Sequence, residues 1–253
     1  MRLTSGIKRI LERDPCQQLL NQLELVQGKA SMTTLRKVIK ASSKPRSEEG
    51  WIHATDSTLS CDRLLAGALL GVQPPRSFLP PKTRRIFDNG THMHFRFQSY
   101  FYCLPSPFVV RAPLLLRRWP FTGEADIAVE HPELGKWIIE LKSMNTMQWR
   151  SLTKPLSGHT YQLNCYLGLV GGDWAGQIWY ENKNTQELKL YRVDFDRKMW
   201  KEVWDRGNRV AWEVMEGRLP DLCGGCPDPP FCGSDIAITP ERLEMLKCLM
   251  NQS

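Results

Sequence analysis

Thr122-Gly123-Glu124-Ala125-Asp126-Ile127 and, after a short turn, Lys136-Trp137-Ile138-Ile139-Glu140-Leu141-Lys142 are the segments around which the chain can be organised. Side chains two apart on a strand share a face. Read as strands, the first puts Glu124 and Asp126 on one face and Ala125 and Ile127 on the other. The second puts Glu140 beside Lys142 and turns Ile139 and Leu141 inward. Two adjacent strands of this kind bring carboxylates and an amine to one patch. Alternating charge is also how the solvent face of an antiparallel sheet looks, so the pattern alone leaves both readings open.

Outward from this pair, β-branched and large apolar residues fill 108–118, 122–130 and 136–143, with short Pro- or Gly-bearing turns between them, which predicts a three-strand meander. A helix over 159–169, strands over 177–181 and 188–195, and a long helix over 197–216 with Trp and Val at core-like spacing follow. Upstream, 82–102 reads as a helix carrying Gly90, His92 and His94. Asp56-Ser57-Thr58 is a cap for a helix through Leu59, Leu64, Leu65, Ala68 and Leu69 that stops at Gly71, with a Pro-rich loop over 74–81 behind it. Residues 1–28 carry apolar positions at helical spacing interrupted by Pro15, and 28–50 reads as a flexible basic segment. The fold expected is α/β, a mixed central sheet flanked by helices. Its parts are an N-terminal helical and basic segment (1–50), a helical region (51–105), a core (106–217) and a cysteine-bearing tail with a terminal helix (218–253).

With 253 residues, 42% of them hydrophobic, the chain is neither disordered, a mini-protein nor a coiled coil, and it can bury one core with a smaller lobe. The 34 Lys and Arg against 27 Asp and Glu leave a charge of +7, which permits an anionic partner without selecting one. The most apolar run, 64–72, is about half a membrane span, and the first residues lack the apolar stretch of a signal peptide. A cytoplasmic protein with no membrane partner is expected.

Clustered carboxylates repel one another unless a cation joins them, and Mg²⁺ or Mn²⁺ is the cation that oxygen ligands suit. Such an ion on Asp126 and Glu140, with Lys142 to orient or help deprotonate a water, is the minimal equipment for hydrolysing a phosphodiester. Asp126 followed by Glu140-Leu141-Lys142 behind an apolar pair resembles the PD-(D/E)xK nuclease core. Gln162-Leu163-Asn164-Cys165-Tyr166 is similar to the Q-x-x-x-Y helix of the RecB-like branch, and Gly90-Thr91-His92-Met93-His94 to its G-x-x-x-H helix. The resemblance implies a restriction-endonuclease-like core. Its metal, Mg²⁺ or Mn²⁺, would be held by His94, Asp126, Glu140 and the backbone carbonyl of Leu141. Lys142 would be the catalytic lysine. Gln162 and Tyr166, one helical turn apart, would reach the lysine, the water or the DNA strand. The chain departs from the branch in carrying Gln98 where a Glu is common. Glu124 is either a supporting acid or a solvated residue, and His159 reads as a helix-start residue rather than a ligand.

The function implied is a DNA exonuclease acting on single-stranded DNA or duplex ends. A structure-specific endonuclease of the same fold and a non-catalytic DNA-binding or assembly component are the alternatives. The setting would be recombination, repair, phage DNA metabolism or CRISPR adaptation. In the absence of a phosphate-binding loop, any helicase would be a separate partner, as would a recombination or CRISPR-adaptation protein. Basic residues over 36–46, Arg84-Arg85 and Arg117-Arg118 are candidates for phosphate contacts.

Eight cysteines in a reducing compartment do not read as a disulfide framework. Cys223, Cys226 and Cys232 fall in a Gly- and Pro-rich loop, where several sulfurs can turn to one centre and bind a soft metal, and Cys61 at a helix start is the best-placed fourth ligand. This arrangement resembles that of AddB-type and CRISPR-associated RecB-like nucleases, which implies a four-iron, four-sulfur (4Fe-4S) cluster on Cys61, Cys223, Cys226 and Cys232, stapling a helical lobe made from the two flanks. An all-cysteine Zn²⁺ site is the alternative. Cys16, Cys103, Cys165 and Cys248 read as packing residues.

Overall fold

The computed structural model describes residues 14–42, 49–56, 61–72, 80–224, 232 and 236–252. Helix α1 (Pro15–Glu24) starts where Asp14 accepts a hydrogen bond from the Cys16 N–H at 2.9 Å. Pro15 therefore opens this helix, since a first-turn residue needs no N–H donor, and residues 1–13 of the expected helical stretch lie outside the described residues. Ser31 accepts from the Thr34 N–H at 3.2 Å and starts α2 (Met32–Ser42) inside the stretch read from sequence as flexible. Leu35, Val38 and Ile39 are the helical signal there, hidden among Lys and Arg, and Val38 is fully buried. After the short strand β1 (Ile52–His53) come α3 (Asp62–Leu69), with Cys61 at its N-cap, and α4 (Pro81–Phe101). Residues 57–60, which include Ser57 and Thr58 of the expected cap, lie outside the described residues.

The expected meander is instead two hairpin halves in two sheets. Residues 108–118 divide into β2 (Val109–Arg111) and β3 (Leu114–Arg118), because Pro113 has no N–H to give a ladder. Residues 122–130 divide into β4 (Phe121–Ala125) and β5 (Ile127–His131), with Asp126 at the break. The two breaks face each other, since Leu114 pairs with Ala125 and Arg111 with Ala128. The double strand thus leaves a small sheet ordered β1-β4-β3 and enters a larger one.

That larger sheet gains β6 (Gly135–Met144), β7 (Trp174–Asn182) and β8 (Leu188–Val193) in the order β2-β5-β6-β7-β8. Between the parallel strands β6 and β7 the chain crosses over through α5 (Thr146–Ser151) and α6 (Ser157–Val170). A central strand with a parallel neighbour is covered on both faces. On one side Ile127, Ile139, Leu141 and Trp179 pack with Phe97 and Phe101 of α4 and with Leu19 of α1. On the other, Ile138, Ile178 and Tyr180 share a cluster with Leu163, Tyr166 and Leu167 of α6. The sheet is therefore mixed and flanked by helices, as the sequence predicts. Behind α6 run α7 (Arg197–Met215) and α8 (Pro240–Asn251), and Asp62 at the start of α3 is ion-paired to Arg206 and Arg209 of α7 at 2.6 and 2.5 Å. Among the described residues no helix is long and apolar enough to cross a membrane.

Close approach of α6 to α7 depends on Gly168, where any Cβ would overlap the Trp200 indole. Gly168→Ala is expected to lower stability by about 1–3 kcal/mol through overpacking, read as a lower urea midpoint with an unchanged slope.

Candidate active site

Asp126 sits at the seam between the two sheets, where the break in the strand frees its side chain from the pleat. One carboxylate oxygen accepts from the Leu141 N–H at 2.8 Å and the other pairs with His94 Nδ1 at 2.8 Å. His94 lies on α4, four residues after Gly90, which faces the Ser143 hydroxyl across the cavity at a distance that a Cβ would still fit. Gln98, one turn on, donates to the Asp126 carbonyl at 2.9 Å, while its own side-chain oxygen is buried without a partner. His92 points away, into an apolar groove between α4 and α2.

A second row of groups runs from β6 to α6. Lys142 donates to Glu140 at 2.6 Å and to the Gln162 side-chain oxygen at 3.1 Å, and the Gln162 amide donates to the Tyr166 hydroxyl at 2.8 Å. Glu140 is 2% exposed, and its second carboxylate oxygen has no hydrogen-bond partner. Tyr166 needs the glycine at 123 opposite it, since a Cβ there would stand 2.6 Å from its ring.

Charge and burial act differently on each group. Burial and the neighbouring Asp126 charge push Glu140 up to about 7, against the pull of Lys142. Burial also works to raise Asp126, but the His94 and Lys142 charges and the Leu141 N–H outweigh it and hold the carboxyl below the usual range. For His94 and Lys142 burial disfavours the charged form, and the acids beside them overcome it, so both are raised. His159, the third residue of α6, is bonded to the Tyr180 hydroxyl at 2.9 Å; burial and the Lys142 charge lower it to about 4.

His94, Asp126, Leu141 and Lys142 line an open cavity of about 500 Å³, as does Glu124. The cavity is also lined by residues to which the sequence assigned no role, among them Phe87, Phe95, Ser143 and Lys183. The signal for Lys183 was its place just beyond a strand parallel to β6, visible only once Met144 is paired with Asn182. Of the basic pairs, Arg84-Arg85 adjoins this cavity, directly before the lining residues Ile86 and Phe87. Arg117 and Arg118 instead lie over the rings of Trp51 and Trp204, at 5.5 and 4.4 Å, and do not line it.

The residues fit a divalent cation by donor type and by need. Asp126 and Glu140 are hard oxygen donors, and a buried carboxylate oxygen without a partner is what a bound cation would satisfy. In the flanks, the sulfurs of Cys61, Cys223 and Cys232 all lie within 4.8 Å of one another, with Cys61 and Cys232 3.5 Å apart, an arrangement able to hold a metal. Cys226 lies outside the described residues. Of the cysteines read as packing residues, Cys16 and Cys165 are buried and Cys103 half-buried, whereas Cys248 is exposed on α8, bonded to Gln252 one turn away.

No protein-family profile matches the sequence. A search of curated proteins likewise finds no match. Among solved structures, an alkaline exonuclease (LHK-Exo) from Laribacter hongkongensis is similar at 14% identity, TM-score 0.45, over 72% of this chain and 93% of that one. LHK-Exo in complex with dAMP is similar at 15% identity, TM-score 0.48, over 66% and 89%. SSO0001 is similar at 17% identity, TM-score 0.43, over 72% and 89%. These likenesses are distant, and the chemistry of the site rests on its own side chains.

A proton on Glu140 or His94 competes with a cation for the same lone pairs. Glu140, raised to about 7, sheds its proton as pH climbs through neutrality, and His94 is raised as well, so cation affinity is expected to rise with pH. Thermal shift with Mg²⁺ or Mn²⁺ should give a larger gain at about pH 8 than at about pH 6, and calorimetry in buffers of different ionisation enthalpy should show proton release on binding.

Proposed function

We propose that the chain is a divalent-metal-dependent DNA nuclease of the RecB-like PD-(D/E)xK type, an exonuclease on single-stranded DNA or duplex ends. The observation that carries it is the gathering of Asp126, His94 and Lys142 on one cavity, with buried Glu140 bonded to that lysine. His94, Asp126, Glu140 and the Leu141 carbonyl would hold Mg²⁺ or Mn²⁺. When bound, the ion supplies positive charge to the phosphate oxygens and a more acidic water.

The chain's own groups divide the remaining work. The Leu141 N–H and His94 fix the orientation of the Asp126 carboxylate. Lys142, its pKa raised by two acids, keeps its proton at neutral pH. It therefore acts as a fixed cation that orients the attacking water and steadies charge growing on the phosphate, not as the base that removes the proton. Gln162 holds Lys142 from α6 and is itself held by Tyr166, whose buried hydroxyl stays protonated.

The three neighbouring cysteines, with Cys226, form a metal centre that ties α3 to the chain beyond α7. The RecB-like resemblance favours a 4Fe-4S cluster. The close approach of the sulfurs favours Zn²⁺, whose tetrahedral thiolates lie about 3.8 Å apart at a Zn–S length of ~2.3 Å. DNA is the partner; a helicase, recombination or CRISPR-adaptation protein would supply any motor or pathway context.

Asp126→Asn, Glu140→Gln and Lys142→Ala are each expected to cut end-labelled DNA about 100-fold more slowly or worse with Mg²⁺ or Mn²⁺, while still binding it in gel shift. Undiminished cleavage by these variants would overturn the assignment, and cleavage of circular single strands would identify an endonuclease. Ala at Cys61, Cys223 or Cys232 should abolish metal content and lower the melting temperature, with brown colour and iron marking the cluster and colourless zinc-loaded protein the single ion.

A further inference from the structure

We propose that Phe87 is a stacking platform for an unpaired base of the DNA strand whose phosphate enters the cavity, an inference that rests on the nuclease reading above and specifies what the same site recognises. Phe87 and Ile86 are 57% and 44% exposed, yet both line the cavity that holds Asp126 and Lys142. The core packed against α4 uses other residues of the helix, Met93, Phe97 and Phe101. An exposed aromatic ring at the lip of a cavity with a charged floor is placed to be covered by a ligand that is apolar at one end and anionic at the other, and a nucleotide has that chemistry.

Phe87, Thr91, His94 and Gln98 follow one another along one face of α4. Thr91 donates its hydroxyl to the Phe87 carbonyl at 3.2 Å, and the ring stands about 10 Å along the helix from His94. The neighbouring charges suit the phosphates on either side. Lys82, Arg84 and Arg85 are exposed just before Phe87 and form no ion pair among the described residues. Lys183, anchored by its N–H on the Met144 carbonyl at 2.9 Å, lines the cavity from the β7 side. Cationic groups that track the backbone, with an aromatic face between them, hold a single strand without reading its sequence. A base inside a duplex has both faces covered by its neighbours, so the platform serves bases at frayed or single-stranded ends.

The test uses the full chain in buffer without added Mg²⁺ or Mn²⁺, which withholds cleavage and leaves the cysteine centre loaded, and short single-stranded oligonucleotides with one abasic position moved along the end, binding being read by anisotropy. Phe87→Ala should weaken binding of the intact strand about 10-fold, and Phe87→Trp should restore it. At one position the abasic site should cost the wild type a similar factor and cost Phe87→Ala almost nothing, because the two changes remove the same contact. Equal abasic penalties in both proteins at every position, or failure of Trp to restore binding, would overturn the platform. Cleavage of the intact strand with Mg²⁺ is scored separately. A wild type that shows the stacking pattern but never cuts overturns the nuclease reading and leaves the platform standing, whereas one that cuts without the pattern overturns the platform alone.

Discussion

A buried carboxylate has to be compensated wherever it sits, and Asp126 is compensated from two parts of the chain at once, the central strand and α4. The Leu141 N–H comes from β6, His94 from α4, and the Gln98 amide, also from α4, takes the carbonyl of the same residue. The first two bonds stabilise a charge that burial alone would neutralise, and the third ties the backbone of the same residue to α4. The aspartate therefore fixes where α4 crosses the large sheet and where the small sheet begins. Helix, seam and central strand are held in one register by a group only 9% exposed.

Glu140 shows the opposite electrostatic condition. It lies two residues from Lys142 on the same strand, yet one oxygen is left without a partner and the group is pushed up to about 7. Two acids drawn together, one over-satisfied and one under-satisfied, make a site that is strained toward binding a cation. Lys142 bonds only one of the two Glu140 oxygens, and it also donates to Gln162. The lysine is tied to two elements, β6 and α6, so its position depends on both the strand and the crossover helix.

The parts of the site that sequence made legible are those governed by local periodicity. Glu140 and Lys142 share a face because a strand repeats every two residues, and Gln162 reaches Tyr166 because a helix brings positions four apart together. His94 was placed by motif spacing, and α4 carries it to Asp126. What sequence concealed lies where periodicity continues through a change of partner. The alternation of 122–130 gives no sign that β4 and β5 belong to different sheets, since the break is set by the partner strand's Pro113. Lys183 and Ser143 meet at the cavity only through the parallel register of β6 and β7, a pairing across a long crossover. Helix α2 was obscured because its apolar residues are embedded in a basic composition typical of unstructured segments.

The cysteine pair that closes the fold lies 171 residues apart. During synthesis Cys61 leaves the ribosome well before the sheet exists, and its sulfur partners follow only after β8 and α7 have been made. Loading of the metal proposed for these sulfurs would thus be a late event in the life of each molecule, one that could not be completed on a chain truncated within the core. A cell that limits the metal would accumulate the core without its clasp, so supply of that metal, rather than synthesis of the polypeptide, would set how much finished protein is present.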